Sequence, residues 1–148
     1  MKLLVIGNSG CGKSTAAQMM AEILNTSARN TSDFLIEQYA REQRLPVEFV
    51  RENKSQFRQQ LYDLGREGQA KDPLYVIRGA LQDAGVLTGV RNPDELAAAR
   101  KQNLFDAVLW IEREGCDPNS TDKLTSKDAD ITVDNNGTLA QLRSQLQL

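Results

Sequence analysis

The 148-residue chain has no histidine, and its only cysteines are Cys11 and Cys116. Without histidine there is no Ser-His-Asp or Cys-His nucleophile, no imidazole base and no histidine-ligated zinc. Two cysteines cannot make a four-thiolate metal site. They also argue against a disulfide framework and for a reducing compartment. Catalysis must then fall to lysine, arginine, carboxylates, hydroxyls, backbone amides or a hard cation. Long apolar runs are missing too. The longest, Ala107-Val108-Leu109-Trp110-Ile111, is far below the roughly 18 residues of a spanning helix. The apolar start Leu3-Leu4-Val5-Ile6 stops at Gly7, short of the about 7–15 residues of a signal segment. These absences predict a cytoplasmic protein with no membrane partner. There is no large excess of either charge: 18 basic and 20 acidic residues leave a net charge of −2. Broad attraction to extended nucleic acid or anionic lipid is therefore not expected. A hydrophobic fraction of 40% is too high for disorder, and the length suits one domain over residues 1–148.

What is present alternates between short apolar runs and helical patterns. Leu3 to Ile6, Val86 to Val90, Ala107 to Ile111 and Ile131 to Val133 read as strands, the first three of the kind buried on both faces. Asn25 to Ser32 is polar, with room for another short strand. Helical patterns run from Ser14, over Phe34 to Gln43, and through the polar stretch Val47 to Lys71, interrupted at Gly65 and Gly68. Asp72-Pro73 and Asn92-Pro93 each read as an N-cap followed by proline at the first helical position. The first of these helices continues to Gly85. Asn135-Asn136-Gly137 turns the chain before a last helix marked by Leu139, Leu142 and Leu146. Strands separated by helices predict an α/β fold with a parallel sheet covered on both faces.

The most specific motif is Gly7-Asn8-Ser9-Gly10-Cys11-Gly12-Lys13-Ser14, which fits the phosphate-binding loop G-x-x-x-x-G-K-[ST] between a buried strand and a helix. Its glycines let successive amides point at a phosphate, and the helix adds its positive end. Lys13 supplies a mobile charge for the β- and γ-phosphates, and Ser14 a hydroxyl for magnesium. Asn8, Ser9, Gly10, Cys11 and Gly12 complete the ATP-binding loop, Cys11 as a small filler at a variable position. Thr15 adjoins it and either packs, caps or joins the nucleotide site. No Asn-Lys-x-Asp base-reading segment follows, against a GTPase. The central strand ends Thr88-Gly89-Val90-Arg91 without the acid of a motor-type ATPase. A small chain with arginines between its strands fits a kinase, because phosphoryl transfer is mostly positioning and charge neutralisation.

Lys54 and Arg58, four apart, are read as sharing a helical face that either clamps an acceptor phosphate or meets solvent. Arg91 leaves the central strand at the edge where parallel sheets bind ligands, and either bridges donor and acceptor phosphates or pairs with Asp94 or Glu95. Asp33 either caps the following helix or touches the acceptor. Arg113 enters the stretch Glu114 to Asp128, read as a reduced lid. Arg78 and Lys127 are further candidates for phosphate contact.

Over most of its length the chain resembles the deoxynucleoside monophosphate kinases of large tailed phages, relatives of the nucleoside monophosphate kinases. The resemblance is carried by Gly7 to Ser14, Asp33-Phe34-Leu35, Lys54-Ser55-Gln56-Phe57-Arg58, Arg91-Asn92-Pro93-Asp94-Glu95, Arg113, and Asp134-Asn135-Asn136-Gly137-Thr138-Leu139. It implies a three-layer P-loop fold and magnesium-assisted transfer of the ATP γ-phosphoryl group to a (deoxy)nucleoside monophosphate. A helical excursion over about 33–71 would cover the acceptor. Lys13, Arg91 and Arg113 are then the catalytic cations, Asp33, Lys54, Arg58, Arg91 and Glu95 the acceptor side, and Asn136 lies near the adenine. Glu95 matches the family's acid four residues after the arginine and would orient it. A homodimer, and a host's cytoplasm, are compatible with the resemblance. One departure stands out: the family's aspartate two residues before that arginine is Gly89 here. Asp33 or Ser14 would then share its task. Two rival readings follow, a P-loop kinase for another acceptor (a nucleic acid 5′-hydroxyl or a small metabolite) and a nucleotide-binding module that does not turn over.

Overall fold

The computed structural model describes residues 1–118 and 123–147. Five strands form one parallel sheet: β1 (Leu3–Ile6), β2 (Ala28–Asn30), β3 (Val86–Thr88), β4 (Ala107–Glu112) and β5 (Ile131–Asp134). Their spatial order is β2-β3-β1-β4-β5. Leu3 pairs with both Val86 and Ala107, which places β1 at the centre. The helices are α1 (Lys13–Ile23), α2 (Thr31–Gln43), α3 (Val47–Glu52), α4 (Arg58–Lys71), α5 (Tyr75–Leu81), α6 (Pro93–Lys101) and α7 (Leu139–Leu146).

Side chains alternate across a strand, so an unbroken apolar run means two buried faces. In β1, Leu4 and Ile6 join Leu87, Val108, Trp110 and the helix residues Ile77, Ala80, Leu96 and Ala99. Leu3 and Val5 join Val86, Leu109 and Ile111 beneath Ala17 and Met20 of α1 and Leu142 and Leu146 of α7. Helices thus cover both faces, as the patterning predicts. A third, smaller cluster of Ile36, Ala40, Val50 and Leu61 holds α2, α3 and α4 together. Edge strand β2 is tied down by Arg29, which pairs with Glu37 at 2.6 Å and Asp83 at 3.2 Å.

The sequence reading is corrected at several boundaries. Helix α2 begins at Thr31, because Asn30 caps it: its side chain accepts from the Ser32 amide at 2.9 Å. The polar stretch 47–71 is broken at Asn53–Phe57, and α4 runs through Gly65 and Gly68. Those glycines are contact points rather than breaks. The Tyr75 ring packs where a Gly68 side chain would lie, and Leu35 approaches Gly65. Asp72 closes α4 and accepts from the Leu74 amide at 3.0 Å, so α5 starts at Tyr75 and ends at Leu81, before Gly85. Strand β3 stops at Thr88, because Gly89 turns the chain with φ +99°. Asn92 and Pro93 start α6 as expected, with Asn92 accepting from the Asp94 amide at 2.8 Å. Of the stretch read as a lid, residues 119–122 lie outside the described residues. Its far end forms a single 3₁₀ turn, Ser126–Asp128.

Candidate active site

All five strands run the same way, so the loops after them gather at one edge of the sheet. The loop after β1 is the phosphate-loop motif. Gly12, at φ +90°, stands immediately before α1, whose first turn has no side-chain cap. That backbone is fixed from behind by Asn135, from the loop after β5. Its buried amide nitrogen donates to the Cys11 carbonyl at 2.8 Å. The same atom fills the space a side chain on Gly12 would need. Gly7 lies so near β4 that a Cβ there would sit 2.8 Å from the Ile111 carbonyl oxygen. The loop's shape is thus set by backbone packing as well as torsional freedom. A helix N-terminus without a side-chain cap is a ready anion site. Lys13 and Ser14 open α1 at this point, and Ser14 is exposed. Thr15 is exposed as well, so it does not pack into the core.

Two other loops press on the phosphate loop. The Asn8 side chain donates to the Cys116 carbonyl at 2.8 Å. The Arg113 backbone lies near enough to the Cys11 thiol to pull its pKa down. Burial pushes the Cys11 thiol up to about 11, helped by the nearby Cys116 thiol, against the pull of the Arg113 backbone and the charge on Lys13. The Arg113 side chain itself is exposed. Asn136 accepts from the Glu114 amide at 2.7 Å and donates to Asp134 at 2.6 Å, binding the loops after β4 and β5 together.

A narrow cleft beside the phosphate loop is lined by Gly7, Lys13, Gly89, Arg91, Lys123 and Leu124. It adjoins a cavity of about 540 Å³. Gly89 and Arg91 line both. The cavity's apolar wall is Leu35, Leu61, Pro73 and Val76, and its polar groups include Tyr62, Arg66, Gln69, Asp94 and Glu95. The Arg66 guanidinium lies 5.8 Å from the centre of the Tyr62 ring on the same helix face. Gln69 Nε2 donates to Glu95 at 2.8 Å. Burial raises the Glu95 pKa above the ordinary carboxyl value, and the Gln69 hydrogen bond partly opposes it.

Of the residues predicted for the acceptor side, Arg91 and Glu95 line this cavity, and Asp33, Lys54 and Arg58 do not. Lys54 lies in the turn between α3 and α4, while Arg58 is the first residue of α4. They share no helical face, which corrects that expectation. Both are exposed, and Lys54 Nζ reaches the Ser32 hydroxyl at 3.4 Å. The Asp33 carboxylate accepts from the Asn30 amide at 3.3 Å, completing the capping box of α2. Capping is therefore the role its geometry displays. Arg78 pairs with Asp72 at 3.4 Å, and Lys127 is exposed on the 3₁₀ turn. Sequence reasoning missed Lys123, Tyr62, Arg66, Gln69 and Asn135. For Tyr62, Arg66 and Gln69 a signal existed in their helical spacing of four and three along one stripe of α4. For Asn135 it did not, since its part rests on a contact with the Cys11 carbonyl, 124 residues away in the chain.

The surroundings of Gly89 leave little room for the aspartate that the resemblance would place there. A Cβ there would lie 2.5 Å from the Thr31 hydroxyl and 2.7 Å from Asn30 Oδ1, on a backbone that side chains rarely adopt. An aspartate does not fit this strand end.

No family model and no curated protein sequence matches the chain significantly. Solved structures do match in shape. A shikimate kinase from Aquifex aeolicus superposes with a TM-score of 0.53 at 18% identity, covering 99% of this chain and 93% of that one. A shikimate kinase from Bacteroides thetaiotaomicron gives 0.51 at 11%, covering 99% and 94%. A Thermus thermophilus protein gives 0.51 at 15%, covering 96% and 92%. At these identities the likeness concerns architecture, and the chain has the α/β fold of shikimate kinase-like P-loop proteins, with a five-stranded parallel sheet.

Proposed function

We propose that this chain is an ATP-dependent phosphotransferase that passes the γ-phosphoryl group to a (deoxy)nucleoside monophosphate. The observation that carries this reading is that Gly89 and Arg91 line both the narrow cleft beside Lys13 and the larger cavity. A donor on the loop and an acceptor in the cavity would therefore face each other across one guanidinium. In this reading the helices of the 33–71 excursion, with α5, form the acceptor side of a single kinase unit, and 114–128 is its lid.

The donor set suits magnesium. Among the described residues no three His, Cys, Asp or Glu side chains gather as a metal cage. Magnesium on a nucleotide prefers phosphates and water with one or two protein oxygens, and Ser14 offers the hydroxyl. When bound there, the ion would neutralise charge on the β- and γ-phosphates. The remaining work belongs to the chain. Amides of Gly10 to Ser14 would hold the β-phosphate, and Lys13 would follow the γ-phosphoryl group. Arg91, with Lys123 beside it, would draw donor and acceptor oxygens together against their mutual repulsion.

The acceptor class follows from the cavity chemistry. Tyr62, Leu35 and Val76 offer flat and apolar surface to a base, and the Gln69–Glu95 pair offers donors and acceptors to its edge. A phosphate acceptor is already ionised near neutrality and needs no general base. This agrees with a strand end that carries Gly89 and with an Asp33 carboxylate committed to capping α2. A second reading is a small hydroxy acid, favoured by two arginines in the cavity and by structural neighbours named as shikimate kinases. A coupled ADP-release assay with magnesium, ribo- and deoxyribonucleoside monophosphates, and shikimate separates the two. Turnover with one or two monophosphates is expected. Turnover with shikimate alone would move the acceptor to the second reading.

A further inference from the structure

The chain's only two cysteines, far apart in sequence, meet at the phosphate loop. Cys11 sits inside the loop, buried, and Cys116 sits half-buried in the turn after β4. One contact holds that turn against the loop: Asn8 Nδ2 donates to the Cys116 carbonyl at 2.8 Å. The Cys116 thiol is near enough to raise the proton affinity of the Cys11 thiol. Nothing in the proposed phosphoryl transfer uses either sulfur.

We propose that Cys11 and Cys116 are a thiol–disulfide modification site, oxidised by low-molecular-weight disulfides, and that the bond between them closes the nucleotide site. The half-buried Cys116 meets the oxidant first. Its thiolate attacks one sulfur of the small disulfide, a mixed disulfide forms, and one small thiolate leaves. Cys11 then gives its proton to the departing thiolate, and its sulfur attacks Cys116, expelling the second small thiol. Two protein thiols are oxidised and one small disulfide is reduced to two thiols.

The consequence for the loop is geometric. A disulfide draws the two sulfurs together to about 2.05 Å. Cys11 lies between Gly10 and Gly12, both at positive φ, and its carbonyl is held by Asn135. The displacement falls on those two glycines and turns the amides before Lys13 away from a phosphate. This part rests on the phosphate-loop reading, whereas formation of the bond does not.

The test treats the full chain with oxidised glutathione, then measures intact mass, free thiols and ATP affinity by calorimetry. The expected product has lost two hydrogens and both thiols and carries no glutathione. Its ATP binding is weaker by about tenfold or more and returns with dithiothreitol. Cys116→Ser keeps its affinity through the same treatment. Two free thiols, a stable glutathione adduct on Cys116, or a disulfide with unchanged ATP affinity would each overturn the proposal. If the reduced chain binds no ATP, the phosphate-loop reading fails instead, and the mass still decides whether the bond forms.

Discussion

The two sides of the sheet edge are built by different means. On the proposed phosphate side, the binding groups would be backbone amides, in a loop whose shape is set by glycines, by the buried Asn135 amide and by the ends of β1 and β4. On the proposed acceptor side, the groups would be side chains on α4 and α6, several of them exposed, with α4 packed on a smaller separate core and α6 on the main one. A phosphate needs only inward amides and a cation, so one loop serves any nucleotide. An acceptor must be told from its rivals, and that is done by side chains that can change without disturbing the sheet. Damage on the first side should therefore abolish activity whatever the acceptor, and damage on the second should alter which acceptor is used.

The largest expected effect is on the phosphate side. Lys13→Ala should lower turnover by about 100-fold or more with every acceptor, measured in the coupled assay. Gly89→Asp comes next and sharpens the point about the missing family acid. It should destabilise the fold by about 1–3 kcal/mol and lower activity, seen as a reduced midpoint in denaturant. A gain of activity would mean that the strand end accepts an acid after all. Asn135→Ala leaves the buried Cys11 carbonyl unpaired, at a cost of about 1–3 kcal/mol, and should raise the KM for ATP while sparing that for the acceptor. Gln69→Ala is its mirror image. We expect the KM for the acceptor to rise by about tenfold, the size of one lost hydrogen bond of roughly 1.4 kcal/mol, with the KM for ATP unchanged.

The smallest effect concerns Glu95. Its pKa is raised by burial, so the folded chain holds this proton to higher pH than the unfolded chain. The stability this contributes is present in acid and is lost as pH rises from the ordinary carboxyl range through the folded value. Glu95→Gln removes the titration. Thermal melts of the variant and the parent should draw level in acid and separate by about a few degrees at neutral pH, with the variant higher. A constant offset across pH would contradict a raised Glu95.

The same contrast governs what could be read from residues alone. Strands β1, β3 and β4 were legible because burial on both faces forces unbroken apolar runs. The loop between β1 and α1 was legible because its glycines are required by the backbone geometry, Gly10 and Gly12 by positive φ and Gly7 by its approach to Ile111. Reading failed where tertiary packing overrides local preference. Gly65 and Gly68 look like breaks yet lie within α4, because Leu35 and Tyr75 pack on them. Lys54 and Arg58 have helical spacing yet straddle a helix boundary. Asn135 reads as a turn residue, and only the loop it reaches across the sheet edge reveals its part. The acceptor wall was least legible, since Tyr62, Arg66 and Gln69 could equally have been a solvated helix face.

The most direct measurement follows the phosphoryl group itself. ATP labelled in its terminal phosphoryl group is incubated with the chain, magnesium and a pool of ribo- and deoxyribonucleoside monophosphates, and products are separated by chromatography. The account predicts label in one or two nucleoside diphosphates, with little in free phosphate. Label that stays in ATP, or passes only to water, would contradict it.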